Sequence, residues 1–239
     1  MDRRQPEPMT PAACTLRSLR TRGLVATMRA AQRRLVIWGS RLRDRRFDRR
    51  HGTETRIVVE NEALGDVTSP NLARGIRYEP TRALPLERLL RAAAIPARGT
   101  FVDMGCGKGR VLMLAAMHGF ERVTGVDYSP SLCAAARRNL DALRAAEGLR
   151  FDATIHAMDA VDYAFQPGDT VVFLYNPFDD AVLRRVLENL RTSLAAHPRT
   201  FRVIYHKPVW RSVIGESGLF EEAEDHSFGG CEFAVYRTR

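Results

Sequence analysis

Residues 101–110 read Phe-Val-Asp-Met-Gly-Cys-Gly-Lys-Gly-Arg. Phe101 and Val102 end an apolar strand, and Asp103 follows at its tip. Gly105, Gly107 and Gly109 then alternate, and residues 111–119 (VLMLAAMHG) carry apolar side chains at helical spacing. A strand ending in an acid, a glycine turn and a helix N-terminus make a cradle for a charged, nucleotide-like ligand. Glycine lets the backbone approach the ligand and adopt positive φ. The helix start offers unpaired N–H groups to anionic atoms.

Three further stretches follow in order. Gly125-Val126-Asp127-Tyr128 lies where a second strand should end, and Asp127 is 20 residues beyond Gly107. An acid there can accept from two ribose hydroxyls side by side. Tyr128 either lies against a base or faces solvent. Ala157-Met158-Asp159-Ala160 follows the strand-like ATIH, with Asp159 also suited to cap a helix. Val171–Tyr175 (VVFLY) has the composition of a strand buried on both faces. Asn176-Pro177-Phe178 stops it, because Pro cannot donate to the ladder.

The glycine spacing decides between cofactors. In the dinucleotide fingerprint the third glycine falls three positions after the second; here it falls two positions after. Asp-x-Gly-x-Gly-x-Gly resembles motif I of the class I S-adenosylmethionine-dependent methyltransferases. That resemblance implies S-adenosyl-L-methionine as cofactor. Its ammonium suits the Asp103 carboxylate, its ribose Asp127, and its adenine edge Met158, Asp159 and Ala160, with Asp159 accepting from the exocyclic amine. Gly105, Cys106, Gly107 and Gly109 form the loop, and Asn176 stands beside the methyl group.

Asn176-Pro177-Phe178 resembles the motif of methyltransferases that modify amino nitrogens, with a distant likeness to the Asn-x-Phe of the non-SET histone-lysine methyltransferases. An Asn oxygen and the adjoining carbonyl can accept from an NH₂ group and aim its lone pair. His206, at the end of the fifth strand, is the candidate proton acceptor. Asp179 and Asp180 fit a helix N-terminus better. Upstream, Phe47-Asp48-Arg49-Arg50 and Arg77-Tyr78-Glu79-Pro80-Thr81 resemble a widespread group of uncharacterised bacterial class I methyltransferases. That group usually has Ser where this chain has Cys106. By this likeness Tyr78 and Thr81 close over the cofactor's amino-acid end, unless Thr81 caps the following helix.

The remaining pattern alternates strand and helix, which argues for an α/β fold with a mostly parallel sheet. Residues 84–95 and 181–196 read as helices, 201–205 as a strand, and 210–218 as a helix closed by Gly218. Residues 219–228 and 231–237 read as an antiparallel pair turning at Gly229-Gly230. The resemblance, spanning roughly residues 45–239, implies a doubly wound, Rossmann-like sheet of seven strands with the last antiparallel.

Charge is concentrated at one end. Residues 1–56 hold 15 Arg against five acids, net +10, whereas the whole chain is +9, so residues 57–239 sum to −1. A Pro-rich, disordered start (1–14) precedes a helical stretch (21–46). There Leu24, Met28, Ala31, Leu35, Trp38 and Leu42 share one face, with arginines on the rest. We therefore divide the chain into a basic helical extension, residues 1–60, and a methyltransferase domain, residues 61–239. The helix either packs its stripe on the core or meets an anionic membrane surface or nucleic-acid phosphates through residues 15–50. The four cysteines have no metal-binding spacing, and reduced thiols fit a cytoplasmic protein. No apolar run approaches the length of a membrane span.

These readings converge on methyl transfer to a nitrogen, with a protein lysine as one acceptor. A small molecule or RNA as acceptor, a non-catalytic cofactor-binding protein, and a nicotinamide-dependent dehydrogenase are the alternatives.

Overall fold

The computed structural model describes residues 42–60 and 69–239, together with positions 28, 39, 65 and 67. The expected disordered start and most of the amphipathic stretch lie outside the described residues. The chain divides into two compact units, Met1–Leu42 and Arg43–Arg239. Residues 43–60 belong to the second unit because their side chains bond into it, above all around the buried Arg110.

Helix α1 runs through residues 42–51. There follow α2 (Ala83–Ala92), β1 (Thr100–Met104), α3 (Arg110–His118), β2 (Arg122–Asp127), α4 (Pro130–Glu147) and β3 (Asp152–Ala157). Next come β4 (Asp169–Leu174), α5 (Asp180–Ala196), β5 (Arg202–His206), α6 (Arg211–Glu216), β6 (Glu224–Phe228) and β7 (Cys231–Arg237). The strands form one seven-stranded sheet in the order β3-β2-β1-β4-β5-β7-β6. The first five pair in parallel, and β7 inserts antiparallel between β5 and β6. The doubly wound sheet implied by the sequence is therefore the observed one.

Alternation along each strand divides the core between the two faces of the sheet. Phe101, Val123, Val171, Phe173 and Ile204 point to one side, against Leu86, Leu89 and Leu90 of α2, Leu112 of α3 and Ala136 and Leu140 of α4. Val102, Met104, Val126, Val172 and Leu174 point to the other. There they meet Val182, Leu183, Val186, Leu187 and Leu190, the apolar stripe of α5, and Val213 and Ile214 of α6.

The helix starts are specified locally. Ser129 accepts from the Leu132 N–H at the head of α4, with Pro130 as first helical residue, and Gly148 ends that helix in the left-handed region. Asp179 accepts from the Val182 N–H at the head of α5, with Asp180 in the first turn. Both acids thus sit where their charge meets the positive end of the helix dipole. β1 leads to β2 on one side while its other neighbour is β4, so the winding direction reverses between β1 and β4. A cleft opens beyond the carboxyl ends of strands at such a switch point.

Candidate cofactor and acceptor site

The cleft beyond β1 and β4 is lined by residues 76–81, Asp103, Gly105, Cys106, Arg110, Val111, Val126, Asp127, Tyr128, Leu132, Ala160, Phe173, Tyr175–Phe178 and Lys207. Asp103 sits at its floor, 3% exposed. It has no hydrogen-bond partner among the described residues. Burial, reinforced by the nearby Asp127 carboxylate, pushes its pKa well above the ordinary carboxylate range. A buried acid without a protein partner calls for a cationic ligand group, because an isolated buried carboxylate is costly.

Asp127, at the tip of β2, holds the glycine turn. Its Oδ2 accepts from the Gly107 N–H at 2.8 Å and its Oδ1 from the Ser129 N–H at 2.9 Å. The Gly105 and Cys106 N–H groups donate to the Val126 carbonyl at 2.8 and 3.1 Å. At Gly107, φ is +51° and an added Cβ would lie 2.1 Å from the Tyr78 ring. Glycine is required there by both conformation and contact. Cys106 is buried, its Sγ packed close to Gly125, where a Cβ would come within 2.7 Å of it.

A strap of residues 71–81 roofs the cleft. The Ile76 N–H donates to the Pro177 carbonyl at 3.0 Å, Gly75 bridges Phe178, and Arg74 pairs with Asp179 at 2.6 Å. Tyr78 exchanges backbone bonds with Val59, and its hydroxyl donates to the Thr55 carbonyl at 2.6 Å. The start of the strap is tied to Asp159, whose Oδ2 accepts from the Ser69 hydroxyl at 2.5 Å and the Asn71 amide at 2.9 Å. Asp159 Oδ1 caps the short 3₁₀ turn Ala160–Asp162 through the Val161 N–H at 3.1 Å. Thr81 is buried in the lining, and the cap position of α2 is Arg82, which makes no side-chain capping bond. Thr81 therefore faces the cleft rather than capping the helix.

Arg110, at the first position of α3, is 2% exposed. Its Nε donates to Thr55 Oγ1 at 2.6 Å and its Nη1 to Asp44 Oδ1 at 2.6 Å, and Nη2 lies 3.4 Å from Asp48 Oδ1. This knot clamps α1 and the segment after it to the glycine turn.

On the acceptor side, Asn176 and Lys207 stand just past the ends of the adjacent strands β4 and β5. Both have left-handed backbones, φ +41° and +51°. Such conformations are strained for non-glycine residues, less so for Asn, and cluster at functional sites. The Tyr205 hydroxyl donates to Asn176 Oδ1 at 2.9 Å, fixing the amide and leaving the oxygen one lone pair. Lys207 Nζ lies 4.8 Å from the centre of the Tyr175 ring and 3.5 Å from Glu79 Oε2 of the strap.

Of the residues singled out from sequence, Tyr78, Thr81, Asp103, Gly105, Cys106, Asp127, Tyr128, Ala160, Asn176, Pro177 and Phe178 meet around this one cleft. Five do not line it. Tyr78 covers Gly107, Gly109 packs on Ala136, and of Met158, Asp159 and Ala160 only Ala160 lines the cleft. His206 requires a correction. It is 2% exposed, stacked between Tyr175 at 4.0 Å and Phe233 at 4.6 Å. Burial, with Lys207 and Arg82 adding repulsion, lowers its pKa to about 3. A ring so buried and so weakly basic is not a proton acceptor for the cleft. Sequence reasoning passed over Arg110, Tyr205 and Lys207. Arg110 closes the quoted decapeptide, but its acid partners are remote in sequence. Tyr205 reads as a core strand residue, and Lys207's only signal was being one of two lysines.

The sheet order, the switch-point cleft, the glycine turn and the acids at the tips of β1 and β2 are those of the Rossmann-like class I methyltransferase fold. Residues 101–197 match the family model described as a methyltransferase domain. Among curated relatives, the ribosomal protein L11 methyltransferase of Vibrio campbellii is 36% identical over 87 residues, 36% of this chain and 28% of the relative. That of Burkholderia thailandensis is 36% identical over 112 residues, 44% of this chain and 37% of the relative. The chain thus spans well under half the length of these relatives. Two solved structures share the fold. One is the pyocyanin biosynthetic protein PhzM, with TM-score 0.50 and 19% identity, covering 65% of this chain and 55% of that one. The other is a Nostoc punctiforme protein provisionally assigned as an O-methyltransferase, with TM-score 0.50 and 16% identity, covering 64% and 54%.

Proposed function

We propose that this protein transfers a methyl group from S-adenosylmethionine to an amino nitrogen. The observation that carries the nitrogen reading is Asn176. It sits in a left-handed conformation at the rim of the cleft, its side-chain oxygen held by Tyr205 with one lone pair left to accept. An amine N–H donating to that oxygen has its own lone pair directed away from it, towards the floor. The names of the L11 methyltransferase relatives, which modify a ribosomal protein, support a protein acceptor within the limits of their partial overlap.

The cofactor fits the residues present. Asp103, buried and without a protein partner, would hold its ammonium, and the Asp127 carboxylate, at the tip of the second strand, its ribose hydroxyls. Tyr128 and Ala160 would flank the base. Asp159 anchors the strap through Oδ2, which accepts from Ser69 and Asn71, and its Oδ1, which accepts from Val161, keeps a lone pair for the adenine amine. When bound, the cofactor supplies an electrophilic sulfonium methyl. The protein's own work is positioning, which is the main requirement for such a transfer. Asn176 orients the amine, Phe178 and Tyr175 pack around it, and the strap excludes water. A lysine acceptor, with a free pKa near 10.4, must enter neutral, and desolvation beneath the strap favours that form.

The test is transfer of a labelled methyl group into an extract lacking this protein, fractionated into protein, RNA and small molecules. Label stable to base in the protein fraction supports an N-methyl product; label confined to the RNA or small-molecule fraction overturns the protein acceptor. Asn176→Ala should keep adenosylhomocysteine affinity within about threefold. It should lower transfer by about 10- to 150-fold, the equivalent of one hydrogen bond to the charge developing on nitrogen, worth about 1.5–3 kcal/mol. Full transfer by Asn176→Ala would remove the nitrogen argument.

A further inference from the structure

The arginines of α1 present a second surface, outside the cofactor cleft. Arg45 and Arg49 are four residues apart, so they share one face of the helix. Gly52, at φ +65°, turns the chain, and the segment after it runs back along the helix. The Thr53 N–H donates to the Asp48 carbonyl at 2.9 Å, and the Thr55 and Arg56 N–H groups both donate to Asp48 Oδ2 at 3.1 Å. Arg56 is thereby brought beside Arg45 and Arg49. The three guanidiniums, with Gly52, Thr53 and Asp48, line a shallow polar cleft.

The single acid in that lining does not neutralise it. Asp48 is buried, and its carboxylate accepts from the Thr53 and Thr55 hydroxyls, the two backbone N–H groups and, on its inner side, Arg110. Asp44 likewise turns inward to Arg110. Arg45, Arg49 and Arg56 are exposed and pair with no carboxylate among the described residues. Arg50 differs, meeting Glu147 at 3.2 Å. The buried Arg110 thus consumes Asp44 and Asp48, the two acids of α1, and leaves Arg45, Arg49 and Arg56 facing outward. The cleft has no aromatic lining residue on which a base could stack. Phe47 is buried against the domain, with the Arg110 guanidinium over its ring. The described part of α1 therefore offers no apolar face to a lipid surface, which an interfacial helix needs.

We propose that the cleft formed by Arg45, Arg49 and Arg56 binds the phosphodiester backbone of a nucleic acid. Guanidinium forks match phosphate oxygens in pairs, and Arg is the usual residue for such recognition. Contacts of this kind position a chain without reading its sequence. Because Asp48 and Thr55 bond both this cleft and Arg110 of the cofactor site, a strand held here passes one layer of side chains from the cofactor cleft. The inference does not depend on the acceptor argued above.

The test uses the full chain and fluorescence anisotropy with a labelled oligouridylate and a labelled oligothymidylate over a salt series. Anionic phosphatidylserine–phosphatidylcholine vesicles are the third arm. Three phosphate contacts on a single strand give a slope of about −2 in log K against log salt, or about a 20-fold loss of affinity between roughly 50 and 200 mM. The R45Q/R49Q/R56Q variant should lose that component, lowering the slope by about 2. Its thermal stabilisation by adenosylhomocysteine should stay unchanged, which shows that the fold and cofactor site persist. An R184Q/R191Q variant, whose arginines pair with Glu216 and Glu188, should bind as the wild type does. Equal binding of both oligonucleotides identifies the phosphodiester chain itself, and preference for oligouridylate adds 2′-hydroxyl contacts; either supports the proposal. No oligonucleotide binding, binding unaffected by the triple variant, or binding to vesicles alone overturns it. Loss of the adenosylhomocysteine response in the wild type would instead count against the methyltransferase reading and leave this result standing.

Discussion

Replacing Asp103 by Asn should move stability and cofactor affinity in opposite directions. Asp103 is 3% exposed, has Asp127 as its charged neighbour, and finds no hydrogen-bond partner among the described residues. Its pKa is raised on folding, so the native state binds its proton more tightly than the unfolded chain does. The sign of linkage follows. Stability from this group is fully present below the unfolded value, near 3.9, and is lost as pH rises through the folded value. Above the unfolded value the raised pKa is therefore a stability cost to the wild-type apoprotein. The amide is nearly isosteric and uncharged. Leaving a buried polar group unsatisfied costs about 1–3 kcal/mol, more when it is charged, so Asp103→Asn should gain about that amount. For a unit of this size each kcal/mol shifts Tm by about 2–4 °C, giving a rise of about 2–12 °C at pH 7. The bound state loses a charge-assisted bond to the cofactor ammonium, worth about 1.5–3 kcal/mol, or about 10- to 150-fold in Kd. Calorimetric titration with adenosylhomocysteine and thermal unfolding of the apoprotein across pH 5–8 measure both effects. A lower apoprotein Tm would show that Asp103 has a structural partner. Unchanged Kd would show that it does not hold the ammonium.

Two more substitutions probe the supports of the site. His206→Phe should preserve methyl transfer, because the ring only stacks between Tyr175 and Phe233. It should also improve acid stability: the native pKa of about 3 lies below the ordinary value of 6.5, so the wild type loses stability as pH falls from 6.5 towards 3. By about 1.4 kcal/mol per pH unit, the difference near pH 4 should be on the order of 3 kcal/mol, read by urea unfolding at pH 7 and pH 4. A large loss of transfer in His206→Phe would restore the base role. Arg110→Met should destabilise the protein by about 3–5 kcal/mol, because it strands Asp44 and Asp48 without their buried cation. A loss under 1 kcal/mol by denaturant unfolding would mean the knot is not clamped as described.

Legibility in the sequence followed locality. The glycine turn, the tips of β1 and β2 and the stripe of α5 are each written within a few residues; alternating strands and helices give a mostly parallel sheet, and the family resemblance implies its seven strands with the last antiparallel. Asn176 was legible because a buried strand run ending in Asn-Pro is a local signal. Asp159 was ambiguous, since cap and ligand use the same side chain at the same place. The structure gives it a capping bond and two strap bonds. His206 misled because a strand-end histidine looks available for chemistry. Its burial comes from Tyr175 and Phe233, one of them contributed by β7, which follows it in sequence and inserts beside β5.

The sequence by itself determined the alternating strands and helices, the glycine turn and the acids beside it, because backbone conformation and hydrophobic periodicity are short-range properties. Only the tertiary structure decided which charges remain free. Arg110 lies 62 residues from Asp48 and 66 from Asp44, and no local pattern pairs them. Once that knot closes, it draws two acids inward, attaches residues 43–60 to the domain and leaves Arg45, Arg49 and Arg56 unopposed. Net charge can be counted along a chain, but which charges cancel depends on distances that only folding sets.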